Sequence, residues 1–302
     1  MGLDRLIAAL PQDFILTLVD VGSAGGLHQR WQPFASILSA ILFDPRESNA
    51  SGGFGAGQTR VYPVALSDRS GEAELHVTAL ANMSSFLQPD REVLARYRKK
   101  GADTKIVQNE TCRTERLDVL AGEDGFRPDV IKVDTQGSEL MVLNGAEESL
   151  ESVVLAEIEV SFFQRYVGQP VFADIEAWMK QRGFELLELY RLKRYRAANS
   201  LGVYKPLFDD GQRSGRVTYG DAIFIRNEAA ILAAAAKDEG KSLLKAAIAL
   251  LAYGKTDHAA ALLEGGRRHL PAASFAAIEE TLSTKQRGRM IQRLVRRLKR
   301  AG

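Results

Sequence analysis

Residues 14–22, Phe-Ile-Leu-Thr-Leu-Val-Asp-Val-Gly, are apolar almost throughout and run into glycines at 22, 25 and 26. Such a run suits a strand buried on both faces of a parallel sheet, where crossover helices cover each side and no polar alternation is needed. Further strand signals fall at 41–45, 60–68, 129–134, 153–160, 184–190 and 221–227, with a short strand at 72–78 after the Ser70-Gly71 turn. Helical patterns fall at 31–38, 90–100 and 137–150, and Phe172, Ile175, Trp178 and Met179 recur at helical spacing before Gly183. A Gly-rich stretch at 51–58 reads as a loop. The alternation predicts an α/β fold: a doubly wound, mostly parallel, Rossmann-like sheet whose closing pair supplies an antiparallel edge.

The strand signals stop at Asn227, which divides the chain into 1–227 and a small all-helical region, 228–302, rich in Ala and Leu. Residues 249–271 resemble one tetratricopeptide unit, but a single unit cannot bury a continuous core, and a helical hairpin packed on the sheet is the plainer reading. With 45% apolar and 26% charged residues over 302 positions, the composition is that of an ordinary globular chain. The single cysteine, Cys112, makes neither an intrachain disulfide nor a metal cluster, which points to a reducing compartment, the cytoplasm. The first residues do not read as a secretory signal, and no apolar run is long enough to span a bilayer. Eight Lys or Arg and no acid fall in residues 281–302, leaving the rest of the chain acidic by six. Within 287–300, Met290, Ile291, Leu294, Val295 and Leu298 form an apolar stripe between arginines. This tail is expected either to pack on the acidic body or to bring the protein to the inner face of an anionic membrane as a peripheral contact. No nucleic-acid partner is expected, and the oligomeric state is not legible.

Asp20-Val-Gly22-Ser23-Ala-Gly25-Gly26 stands where the first strand must turn, and glycines there let a ligand approach the backbone. The spacing G-x-G-x-x-G is absent, which disfavours a nicotinamide-dependent oxidoreductase. Asp-x-Gly-x-x-x-Gly is instead the pattern with which class I methyltransferases hold S-adenosylmethionine, whose amino-acid end is cationic. Asp44 ends the next strand about 20 residues on, where an acid meets ribose hydroxyls, although Asp44-Pro45 is also a turn initiator.

The segment IKVDTQGSELMVLNGA, residues 131–146, resembles the hallmark segment of the FkbM-type methyltransferases. VDVGSAGG, LFDP, ALSD followed by GEAELHV, NMSSF at 82–86, Arg116-Leu117-Asp118 and AEIEV occur in that family's order, so the resemblance covers roughly 16–192. It implies S-adenosylmethionine as donor and an acceptor hydroxyl on a sugar, a glycan or a related metabolite. The cofactor positions it implies are Asp20, Gly22, Ser23, Gly25, Gly26, Asp44, Ser67 and Asp68.

Methylating an alcohol benefits from a general base. Ligands of open α/β sheets sit beyond the carboxyl ends of the strands, which selects Asp134, then Glu159 and Glu157, two apart and on one face of their strand. Asp134 otherwise reads as a helix N-cap, and Glu139 as a partner of the helix dipole. His28 is a further candidate base, since its pKa suits proton transfer. His76, His258 and His269 show no ligand spacing, so no metal site is predicted. The loop at 161–170 and the basic-aromatic stretch 190–196 are expected near the cleft mouth. A non-catalytic adaptor with a degenerate methyltransferase core is the alternative from a different class.

Overall fold

The computed structural model describes residues 2–22, 26–46, 58–208, 213–280 and 282. The elements run α1 (Gly2–Ala8), β1 (Leu16–Val21), a 3-10 segment (Gln29–Ile37), β2 (Leu38–Phe43), β3 (Gln58–Tyr62), β4 (Ala65–Leu66) and β5 (Gly71–Thr78). There follow α2 (Arg91–Ala95), α3 (Lys100–Asp103), β6 (Ile106–Glu115), α4 (Leu117–Asp124), β7 (Val130–Val133), α5 (Glu139–Asn144) and β8 (Leu155–Ser161). The chain continues through α6 (Phe172–Gln181), β9 (Phe184–Tyr195), β10 (Arg216–Arg226), α7 (Glu228–Ala235), α8 (Lys241–Ala252) and α9 (Thr256–Gly265). Seven strands form the main sheet in the order β3-β2-β1-β7-β8-β10-β9, and β4, β6 and β5 form a small second sheet. Strands β3, β2, β1, β7 and β8 are parallel, while β10 runs antiparallel to β8 and β9.

Several elements differ from the sequence-based expectation, each for a local reason. The strand expected at 60–68 is two strands, because Pro63 has no N–H to donate to a ladder and the chain passes there from the main sheet to the small one. The helix expected over 90–100 is broken by Lys99, whose φ is 64° in the left-handed region. β6 carries no strand signal in the sequence because half of its side chains are exposed, leaving little apolar alternation. The stretch 190–196, expected beside the cleft mouth, largely prolongs β9, whose exposed residues 191–194 carry three cations. The basic tail, apart from residue 282, lies outside the described residues.

Each face of the main sheet has its own cover. Val19, Val21, Ile131, Val133, Ile158 and Phe224 pack on α4, α5 and α6, the ordinary crossover helices. Leu16, Leu18, Val130, Leu155 and Ile223 pack instead on Trp31 and Phe34 of the 3-10 segment and on Leu243, Ala247 and Leu250 of α8. Among the described residues neither the β1–β2 nor the β2–β3 connection carries an α-helix, and the C-terminal helices supply the missing layer. They are tied down by charge as well as by packing: Lys245 Nζ is 2.8 Å from Asp129 Oδ1, and Lys241 Nζ is 2.6 Å from Asp13 Oδ2.

Candidate active site

The carboxyl ends of β1, β2 and β7 meet at Gly22. Its N–H donates to the Phe43 carbonyl at 2.9 Å and its φ is +78°, while a Cβ added there would lie 2.0 Å from the Asp134 carbonyl oxygen. Only glycine fits this approach, and it brings Asp134 against the turn after β1. Asp44 is buried at the end of β2 and one of its oxygens accepts from the Arg46 N–H at 2.9 Å, so it does initiate a turn at the place where a ribose-binding acid is expected. Gly26 has a φ of +83°. Ser23 and Gly25 lie outside the described residues.

On the face covered by the C-terminal helices, the ladder aligns Asp20 of β1 with Lys132 of β7 and Lys132 with Glu157 of β8. Lys132 Nζ is 3.1 Å from Asp20 Oδ1 and 4.0 Å from Asp134 Oδ2. Burial opposes charge on Lys132, but the Asp20, Asp134 and Glu157 carboxylates outweigh it and hold the ammonium well above its usual range. Glu157 is fully engaged: Arg30 lies 3.1 Å away, the Tyr253 hydroxyl donates at 2.5 Å and the Tyr190 hydroxyl donates as well. Glu159 is engaged too, by Arg165 at 3.0 Å and by the Gln136 side-chain amide at 3.1 Å. Arg165 is wholly buried; it donates to Ser161 Oγ at 3.0 Å and lies over the Tyr219 ring.

Asp134 stands apart from these locked groups. Its side chain is 35% exposed, against 3% for Glu157 and 5% for Glu159. Gln136, in a left-handed conformation (φ 57°), bridges it to Glu159, its amide lying 3.0 Å from Asp134 Oδ1. The N-cap of α5 is Ser138, not Asp134. Glu139, in the first turn, accepts from the backbone N–H groups of Thr135 and Gly137 at 3.1 and 2.9 Å and so fixes the loop that presents Asp134. His28 caps the 3-10 segment: its Nδ1 accepts from the Arg30 backbone N–H at 3.1 Å. Desolvation and the Arg30 guanidinium hold its imidazole below the usual value. Ser67 and Asp68 sit between the small sheet and α5. The Ser67 carbonyl packs on Gly145 at the end of α5, its N–H donates to Glu115 at 2.9 Å, and its hydroxyl donates to Asp68 at 3.2 Å.

Six carboxylates (Asp20, Asp134, Glu139, Glu157, Glu159, Asp221) share this cluster with four cations, Arg30, Lys132, Arg165 and Arg191. Burial, more than this imbalance, raises the carboxyls themselves. Burial pushes Asp20 and Glu139 up; burial together with Glu157 pushes Asp221 to about 6; burial together with Asp134 and Glu139 pushes Glu159 up against the pull of Arg165. A cationic ligand would relieve this excess, and a glycine turn beside a buried acid at the next strand end suits a nucleoside. Among the described residues no His, Cys, Asp and Glu group is arranged to hold a metal ion. Of these residues, Lys132, Gln136, Arg165, Tyr190, Asp221 and Tyr253 were not singled out from sequence. Lys132 carried a signal, a cation inside an apolar strand with acids at matching depth on either side, whereas Tyr253 lies 96 residues from Glu157 and carried none.

A sheet ordered in this way, parallel but for the penultimate strand, with an acid and a glycine turn after its first strand, is that of the class I methyltransferases. Residues 41–186 match the methyltransferase FkbM domain, so this part of the chain is a methyltransferase domain of the FkbM type. No protein of curated function matches it in sequence. Among solved structures it is similar to magnesium protoporphyrin IX methyltransferase from Synechocystis, determined with bound S-adenosylmethionine, at 10% identity and a TM-score of 0.31, over 74% of this chain and 76% of that one. It is also similar to a TehB-like S-adenosylmethionine-dependent methyltransferase from Corynebacterium glutamicum, at 15% identity and a TM-score of 0.29, over 75% and 88%. The strand order and the family match, not these distant likenesses, define the class.

Proposed function

We propose that the protein transfers a methyl group from S-adenosylmethionine to a hydroxyl oxygen, on a sugar, a glycan or a related metabolite, with Asp134 as the base. The observation that carries this reading is the contrast among the carboxylates: Glu157 and Glu159 are locked by donors, while Asp134 is the open one, beside the Gly22 turn. S-adenosylmethionine, when bound, supplies an electrophilic methyl. Asp20, Gly22, Gly26 and Asp44 would line its site, and the negative excess of the cluster favours its cationic end. Asp134 takes the hydroxyl proton as the acceptor oxygen attacks, and Gln136 and Glu139 hold Asp134 in place. Incubation with methyl-labelled S-adenosylmethionine and a mixture of glycans and small metabolites tests this reading. It requires label on an oxygen of an acceptor; label on nitrogen or carbon, or none, contradicts it.

Among the described residues no helix is long and apolar enough to cross a membrane. Contact of the basic stretch 287–300 with an anionic bilayer remains a proposal from sequence, tested by truncation after Glu280.

A further inference from the structure

The far end of β9 and β10 extends beyond the site and ends in an apolar tip with a basic base. From Asp221, level with Glu159, to Arg216 is five residues of β10, roughly 17 Å of strand. Between the two strands, the segment 199–208 is shaped by Asn199, whose side chain bonds the Val203 N–H and carbonyl at 3.1 and 3.0 Å. This short segment holds Leu207, Leu201 and Phe208, exposed by 89%, 83% and 79%, the three most exposed large apolar side chains among the described residues, and Val203 at 56%. Nothing among the described residues covers them. Scattered exposed apolar residues are ordinary; three so open within eight positions mark a surface that meets something apolar.

The surroundings say what that is. Residues 191–216 hold seven Lys or Arg and two acids, Asp209 and Asp210, both outside the described residues. Arg196, Lys205 and Arg216 line a cavity of about 250 Å³ with Tyr97, Tyr195 and Tyr204, and among the described residues no carboxylate lines it. Arg98 lies over the Tyr204 ring, with its guanidinium carbon 4.3 Å from the centroid. Exposed apolar tips with tyrosines and cations beside them are the side chains that meet hydrocarbon, headgroup and phosphate at a bilayer surface. A protein partner with an apolar pocket would satisfy the tips alone, whereas an anionic bilayer satisfies both the tips and the cations.

We propose that the tip of the β9–β10 pair is a peripheral membrane-docking element, with Leu201, Leu207 and Phe208 entering the headgroup region of an anionic bilayer and Arg196, Lys205 and Arg216 meeting lipid phosphates. The carboxylate site then faces that surface from within a few sugar lengths, a geometry suited to acceptors presented by the membrane. The element is separate from the basic tail and does not depend on methyl transfer.

Sedimentation of the full chain with phosphatidylcholine vesicles, with and without phosphatidylglycerol, tests this. Three proteins are compared: the wild type, the chain truncated after Glu280, and the double variant Leu207→Ser/Phe208→Ser. The last two substitutions are fully exposed, and circular dichroism checks that the fold is kept. The wild type and the truncated chain are expected to sediment with anionic vesicles and to be released by high salt. The double variant is expected to partition at least about tenfold less, as removal of two inserted apolar side chains requires. Retention of binding by the double variant, its loss on truncation alone, or binding of single-stranded RNA in place of vesicles would overturn the proposal.

Discussion

The two faces of the main sheet show how differently one sheet can be closed. One face buries apolar side chains along its central strands and is covered by the helices that connect its own strands. The other is apolar only toward the amino ends of its strands; toward the carboxyl ends it carries Asp20, Lys132, Glu157 and Glu159, and its cover comes from the C-terminal helices. The first face needs only shape. The second needs charge balance, and the C-terminal region contributes to it directly, through Tyr253 on Glu157 and Lys245 on Asp129. The helices after residue 227 are therefore joined to the site chemically as well as by packing.

The largest stability effect should come from the buried ion pair on the second face. Arg165→Met takes the cation from buried Glu159 and is expected to cost about 3–5 kcal/mol at pH 9 by urea denaturation, and less at pH 7, because the Glu159 carboxyl, at about 8 with Arg165 present, rises further without it. Ile158→Val, one residue away on the first face, should cost only about 1 kcal/mol with no dependence on pH. Equal pH dependence in the two variants would dissolve the contrast. Gly22→Ala sets a Cβ against the Asp134 carbonyl at a positive φ, and about 2–3 kcal/mol is expected, read from the urea midpoint at unchanged m.

Tyr253→Phe deletes one donor to a buried carboxylate, and about 1–2 kcal/mol is expected. A loss within error would mean that the C-terminal helices are joined to the site by packing alone. The smallest effect concerns Asp221. Its folded pKa, about 6, lies above its unfolded value of 3.8, so the folded state binds more protons between the two, and stability falls as pH rises through that window. Asp221→Asn should flatten that slope and raise stability at pH 7 by about 1 kcal/mol, discounted for the remaining exposure and for Arg191.

The first face was legible in the sequence because its strands are apolar runs and its helices follow them at once. The Gly22 turn, Asp44 and Asp134 were legible as well, since each depends on its place at the end of a strand. The engagement of the other carboxylates was not. Glu157 and Glu159 read as candidate bases because a lone sequence shows an acid in an apolar strand but not the donors that reach it, and Arg30, Arg165, Tyr190 and Tyr253 arrive from four separate segments. Ser67 and Asp68 carried the family's pattern, and their observed contacts join the small sheet to α5.

The central claim is that the one open carboxylate on the second face does the proton chemistry. Turnover and S-adenosylmethionine affinity measured side by side for Asp134→Asn test it most directly. The account predicts a fall in kcat of about 10²–10⁴ with the cofactor Kd held within about threefold, as for a group acting mainly in the transition state. Turnover surviving within about threefold, or a Kd that weakens in step with kcat, would contradict it.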